Sequence, residues 1–93
     1  MKTEIALAQR ALELAMLIST ETTTDAWFEY SGHINMVDAE YSPNGYQSNH
    51  KEPPELETNT VYIANMAKPT VETLQHIVDC FEFIYAVAER NNV

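Results

Sequence analysis

Two side chains with metal-binding chemistry, His76 and Cys80, stand four residues apart in the sequence. On a helix, that spacing would put an imidazole and a thiol on one face, where both could bind a zinc ion. A zinc site needs three or four protein ligands, and no third donor is spaced to join this pair. The pattern is more typical of a half-buried thiol beside a histidine, so we expect no metal and no other cofactor.

Catalytic groupings are also missing elsewhere in the sequence. His33 and His50 fall in turn and loop segments, with no nucleophile spaced to work with either of them. The carboxylates are numerous, but no pair has the apolar surroundings that tune one acid against another. There is no glycine-rich phosphate loop, no nucleophile elbow and no paired-cysteine motif. We therefore predict a protein that is not an enzyme.

Charge is the strongest signal in this sequence. Its 93 residues include 14 Asp and Glu against 5 Lys and Arg, a formal net charge of -9, and residues 11–50 contain no Lys or Arg. Such a field repels nucleic-acid backbones and anionic membranes and attracts basic protein surfaces. Close imitation of duplex DNA would need nearly twice this charge over a domain of about 30 Å. A generic acidic protein binder is therefore favoured over a nucleic-acid mimic.

Composition predicts one ordered domain, residues 1–93, in a reducing compartment. The apolar fraction is 45%, with only 2 Gly and 4 Pro, which is typical of a folded chain. Cys80 is the only cysteine, which excludes an internal disulfide. No uncharged stretch is long enough for a signal sequence or a membrane span. We expect a cytoplasmic protein that does not bind membranes.

Helical periodicity marks the two ends of the chain. Residues 1–20 are almost all strong helix formers, with apolar side chains at three- and four-residue steps. This apolar stripe is wider than a helix needs to cover one sheet face, so the surplus could cover a second helix or a second subunit. The other predicted helix, residues 69–90, begins at Pro69, where the missing N–H costs nothing, and has Glu72 in its first turn.

Between the helices, residues 26–66 have the aromatic and β-branched density of an antiparallel sheet. Gly32 is the predicted turn of a hairpin with a two-residue loop, although one long bent strand is the competing interpretation. The next strand, residues 34–41, must end at the Pro-Asn-Gly turn of residues 42–45. Alternation returns at residues 60–66, which form the last predicted strand.

Residues 47–59 form a polar, acidic loop in this interpretation. Adjacent prolines at Pro53 and Pro54 remove two hydrogen-bond donors, so the segment cannot pair as a central strand. Glu52, Glu55 and Glu57 are predicted to be solvated, with contact to a basic partner as the alternative.

The element order predicts an α+β fold, with an N-terminal helix, a three- to four-stranded antiparallel meander and a C-terminal helix, and both helices on one face of the sheet. Strand alternation then assigns seven residues to the helix-covered face: Phe28, Tyr30, Val37, Ala39, Tyr41, Val61 and Ile63. Eight fall on the opposite face: Trp27, Glu29, Ile34, Met36, Asp38, Glu40, Tyr62 and Ala64.

The opposite face is the best functional lead, because large apolar side chains surrounded by carboxylates are typical of protein interfaces. Two other interpretations stay open. The hairpin register could differ, or the two helices could cover opposite faces, in which case Trp27 belongs to the core.

One segment resembles a known group of proteins. Tyr30 is followed by Ser31-Gly32-His33-Ile34-Asn35, then by alternating residues through Tyr41, and then by Pro43-Asn44-Gly45-Tyr46. This segment, about a fifth of the chain, is similar to one found in small uncharacterised phage and prophage proteins. The resemblance implies a short phage accessory protein, a group in which many members bind a host protein and modify or inhibit it. It transfers no functional residue.

The leading hypothesis is a small acidic interaction module, a phage or prophage accessory factor that binds and modulates a host protein with a basic surface in the host cytoplasm. The expected partner-binding residues are Trp27, Glu29, Ile34, Met36, Asp38, Glu40 and Tyr62. The alternative is a structural or assembly protein that forms a homodimer through the same face. A metal or redox sensor, or a small enzyme that uses His76 and Cys80, is third.

Overall fold

A computed structural model of the chain describes residues 2–43 and 60–91. Its elements are α1 (Lys2–Glu21), β1 (Asp25–Ser31), β2 (Met36–Ser42), β3 (Val61–Ala67) and α2 (Val71–Asn91). The strands form an antiparallel meander of order β1-β2-β3, and the helices pack against each other and against the sheet. The predicted α+β architecture is confirmed, with three strands among the described residues. Neither helix is long and apolar enough to cross a lipid bilayer.

The first helix packs on the sheet through one apolar face and through hydrogen bonds of one polar side chain. Its buried residues Ala11, Leu14, Ala15 and Ile18 join the core with residues of both the sheet and α2. At its end, the Ser19 hydroxyl donates to the carbonyl of Ala26 at 3.1 Å and accepts from the Ala26 N–H at 3.0 Å. These two bonds satisfy the backbone of β1 beside the buried end of the helix.

The hairpin between β1 and β2 is confirmed, but its loop is longer than the sequence predicted. Ser31 pairs with Met36, so residues 32–35 form a four-residue connection instead of a two-residue one. Asn35, and not Gly32, has the left-handed backbone, with φ of 49°, a conformation that asparagine tolerates well. The Tyr30 hydroxyl donates to the Asn35 side-chain oxygen at 2.7 Å, and the Asn35 carbonyl accepts from the Lys68 N–H at 2.7 Å. These contacts stabilise the longer turn and displace the start of β2 from Ile34 to Met36.

A register shift in the β2–β3 ladder changes the sheet face on which some side chains of β3 lie. Ala39 is opposite Ala64, but the next residue, Glu40, is opposite Tyr62, so Ile63 is the extra residue of a β-bulge. Ile63 and Ala64 both pack against the core. The assignment of Ala64 to the opposite face was therefore wrong, because strict alternation does not continue through a bulge.

The second helix begins at Val71, two residues later than predicted. The Thr70 hydroxyl accepts the Thr73 N–H at 3.2 Å, and the Thr70 carbonyl accepts the Leu74 N–H at 3.0 Å. Thr70 is thus the N-cap, and Pro69 lies before it. The apolar face of this helix is almost fully buried at four residues: Leu74, Ile77, Val78 and Phe81.

Most of the predicted helix-covered face lies against this core. Val37 and Ala39 are buried, and Phe28, Tyr41 and Ile63 pack beside them. Tyr30 and Val61 lie at the margins of the same face and stay 52% and 42% exposed, beyond the cover of the helices. Two helices are thus wide enough to cover the centre of the face and not its edges.

Candidate functional site

Three rows of side chains cross the sheet on the face that neither helix covers. Cross-strand partners lie on the same face, so the register aligns Trp27, Glu40 and Tyr62 in one row and Glu29, Asp38 and Asn65 in the next. Ser31, Met36 and Ala67 form the third row. We call the six predicted residues of these rows the open face: Trp27, Glu29, Met36, Asp38, Glu40 and Tyr62.

The open face combines apolar surface with exposed polar edges. Tyr62 is its most accessible large side chain, 69% exposed at the β3 edge. Trp27, Met36, Asp38 and Glu40 are half-buried among their neighbours, whereas Glu29 is exposed. The aromatic rings at the two ends of the Trp27 row therefore flank the carboxylate of Glu40.

Like charges are concentrated at the centre of this face. Glu29 and Asp38 are direct cross-strand partners, an arrangement that destabilises a sheet. Partial burial raises the pKa of Glu40, and the nearby carboxylates of Asp38 and Glu29 raise it further. The strands contribute no Lys, Arg or His, since their sequences contain none. The open face is thus a preassembled acidic surface whose charges repel one another.

Neutral donors partly satisfy the carboxylates. The Asn65 amide donates to Asp38 at 3.4 Å, and the Ser31 hydroxyl donates to Glu29 at 3.3 Å. Sequence reasoning did not single out either donor. Ser31 continues the alternation of Trp27 and Glu29, but strict alternation would put Asn65 on the helix-covered face, and only the bulge brings it beside Asp38. These bonds orient the two acids without neutralising them, because both donors are uncharged.

Two residues that strand alternation assigned to this face, the predicted partner-binding residue Ile34 and Ala64, are not part of this arrangement. Ile34 was assigned to the same strand face, but it lies in the hairpin turn, 56% exposed and outside β2. Ala64, discussed above, turns toward the core. The acidic-loop residues Glu52, Glu55 and Glu57, like the whole 47–59 loop, lie outside the described residues.

The His76 and Cys80 pair does occur on one face of α2. The Cys80 Sγ lies 3.6 Å from Nε2 of His76. Burial raises the pKa of the Cys80 thiol, and the neighbouring charge of Asp79 raises it further, which favours the protonated form. Residues 2–43 and 60–91 contain no cluster of three or more side chains that could hold a metal ion. As a pair, these groups have the chemistry of a weak thiol–imidazole contact.

A shallow groove of about 440 Å³ between β3 and α2 is a feature that sequence reasoning missed. Val61, Tyr62, Cys80 and Phe83 contribute to its walls. Phe83 is 71% exposed, because it lies on the side of α2 away from the buried Phe81. The sequence contained one signal for this groove: Phe83 is an aromatic residue of α2 that does not follow the periodicity of its buried apolar face.

Comparison of the sequence with protein-family models and with curated proteins, and of the chain with solved structures, found no match.

Proposed function

We propose that this chain is a non-catalytic protein-binding module whose open face receives a basic surface of a partner protein. The observation that carries this proposal is the juxtaposition of three carboxylates with Trp27, Met36 and Tyr62 on a sheet face that neither helix covers. The aromatic rings supply apolar area with little conformational entropy to lose, and the acids supply charge complementarity.

The electrostatics of the open face favour a cationic ligand. Burial disfavours the ionised form of Glu40 and raises its pKa, and the nearby carboxylates of Asp38 and Glu29 raise it further. An arginine or lysine placed between them would replace repulsion by attraction and lower that pKa. Arginine fits this surface best, because its planar guanidinium can also stack on Trp27 or Tyr62.

The resemblance of residues 30–46 to phage and prophage proteins extends the proposal. On that basis the partner is a host protein, and binding modulates it in the host cytoplasm. The acidic face supports the charge of the partner, and the resemblance supports its origin.

A homodimer through the open face itself is the competing proposal, and the arrangement of charge argues against it. A two-fold axis on this face would bring the carboxylates of one copy against those of the other, with no basic side chain of the three strands between them. Each copy carries a net charge of -9, which adds long-range repulsion.

Affinity capture with matched bait variants tests the proposal. Asp38→Lys and Glu82→Lys change the net charge equally, but only the first alters the open face, since Glu82 is exposed on α2. The expected partner is retained by the wild-type and Glu82→Lys baits and lost by the Asp38→Lys and Trp27→Ala baits. With that purified partner, Asp38→Lys should weaken binding at least about tenfold, and added salt should weaken the wild-type complex. If every protein captured by the wild-type chain is also retained by Asp38→Lys, the open face is not the binding site.

A further inference from the structure

The strand β3 is an unusual sheet edge for so acidic a chain. In the described part of the chain it pairs with β2 alone, so its other side presents backbone N–H and C=O groups. Its sequence, VYIANMA, has no charged residue, no Pro and no Gly. The other edge strand, β1, contains Asp25 and Glu29, the kind of charges that protect an edge from pairing. Only one of the two edges is therefore suited to accept another strand.

Apolar side chains are exposed along this same edge. Val61 and Met66 are each 42% exposed and Tyr62 is 69% exposed. The groove beside β3 adds Phe83, and of its nine lining residues only Asp79 is a carboxylate. The edge and the groove form one continuous surface on the side of α2 away from α1.

We propose that two copies of the chain associate through their β3 edges, antiparallel about a two-fold axis, to form a continuous six-stranded sheet. Charge favours a second copy as the occupant. A basic partner would form no ion pair with β3, because this strand has no charged residue. Two chains of net charge -9 can approach closely only where no carboxylates oppose each other. The strand β3 is such a place, and the groove beside it adds one carboxylate, Asp79, from each copy.

The bulge in β3 selects one register for this pairing. Paired residues must share a face, and a strict alternation would put Val61 and Met66, five positions apart, on opposite faces. With Ile63 as the extra residue, Val61 and Met66 are cross-strand partners of Tyr41 and Val37 and lie on the helix side together. Tyr62 and Asn65 likewise share the open face.

Val61 of one copy therefore lies opposite Met66 of the other, and Tyr62 lies opposite Asn65. This register keeps all four helices on one side of the joined sheet and brings the two grooves, with their Phe83 rings, toward the two-fold axis. Trp27, Glu29 and Asp38 lie outside this contact, on β1 and β2, so self-association and binding through the open face are compatible.

Light scattering coupled to size-exclusion chromatography tests the pairing on the full chain over a range of concentrations. The wild type should give twice the chain mass of 10.6 kDa. Val61→Lys and Met66→Lys should each raise the dimer dissociation constant at least about tenfold, because each places an unpaired charge in the contact. The double variant Val61→Lys with Met66→Glu should restore the dimer, since the register puts each new lysine opposite a new glutamate. Circular dichroism melts of all variants verify that they fold.

Met16→Lys is the matched control, because Met16 is 59% exposed on α1, away from β3. Met16→Lys should leave the dimer unchanged. Asp38→Lys should also leave the dimer unchanged, although it removes partner binding under the proposed function. The two proposals can therefore fail separately. Added salt should strengthen this dimer by screening the repulsion between acidic chains. A monomeric wild type, a dimer split by Met16→Lys but not by Val61→Lys, or a double variant that stays monomeric would overturn the inference.

Discussion

The acidic centre of the open face should lower the stability of this fold, and Glu40→Gln should recover part of the loss. Glu40 is half-buried beside two like charges, Asp38 and Glu29, and its pKa is raised above the ordinary 4.5. Interactions between neighbouring side chains on a sheet face are worth about 0.2–1 kcal/mol each, and we take the same scale for the repulsion of Glu40 by Asp38 and Glu29. Solvent screening reduces this for partly exposed groups, so we expect a gain of about 0.5 kcal/mol. For a domain of this size that raises Tm by about 2–4 °C.

The sign of the pH dependence follows from the direction of the pKa shift. A carboxyl whose pKa is higher in the folded than in the unfolded state makes the free energy of unfolding larger at low pH than at high pH. This contribution is complete below the unfolded pKa and is lost as the pH rises through the folded pKa. The advantage of Glu40→Gln should therefore be complete at neutral pH. It should vanish below the ordinary pKa of 4.5, where Glu40 is protonated in both states.

Urea unfolding monitored by the fluorescence of Trp27, at neutral and acidic pH in low salt, measures this difference. Glu82→Gln is the control, because it removes the same formal charge from an exposed site on α2. Subtracting its effect separates the local cost of the Glu40 charge, from burial and from repulsion, from the general benefit of a lower net charge. If Glu40→Gln is no more stable than Glu82→Gln at neutral pH, or if its advantage persists at acidic pH, the repulsion argument is incorrect.

Two further predictions concern the packing of the helices. Leu14→Ala should lower the free energy of unfolding by about 3 kcal/mol, whereas Leu12→Ala should lower it by less than about 1 kcal/mol, because Leu14 is 1% exposed and Leu12 is 48% exposed on the same helix. Equal losses in urea titrations would mean that α1 is rotated from the orientation described. The Tyr85 hydroxyl donates to Glu21 at 2.6 Å, and this bond, together with burial and the charges of Glu21 and Glu89, raises the pKa of Tyr85 to about 12. Glu21→Gln should lower the pKa of Tyr85 toward 10.0. An ultraviolet titration, with Tyr85→Phe as the reference, measures this change. An unchanged titration would mean that the hydrogen bond between α1 and α2 does not form.

Much of the candidate site could be predicted from alternation alone. Trp27 and Glu29 follow one another at a spacing of two on β1, and Met36, Asp38 and Glu40 do so on β2, so once the helices cover one face these residues must share the other. Ile34 was misplaced because the turn length depends on contacts to Asn35 from Tyr30 and Lys68, and the Lys68 contact comes from a distant part of the sequence. Ala64 was misplaced because a bulge leaves no mark in the periodicity of a short apolar strand.

The sequence by itself determined the two helices, the meander and the excess of acid, since each depends on local periodicity, turn chemistry or composition. Only the tertiary structure decided which residues meet. The position of the bulge on β3, the opposition of Glu29 to Asp38 and the groove beside Phe83 each depend on the register between segments distant in the chain. That register is set by packing of the whole core, where the fit of Ala39, Ala64 and Ile63 beneath the helices outweighs the preference of any single strand.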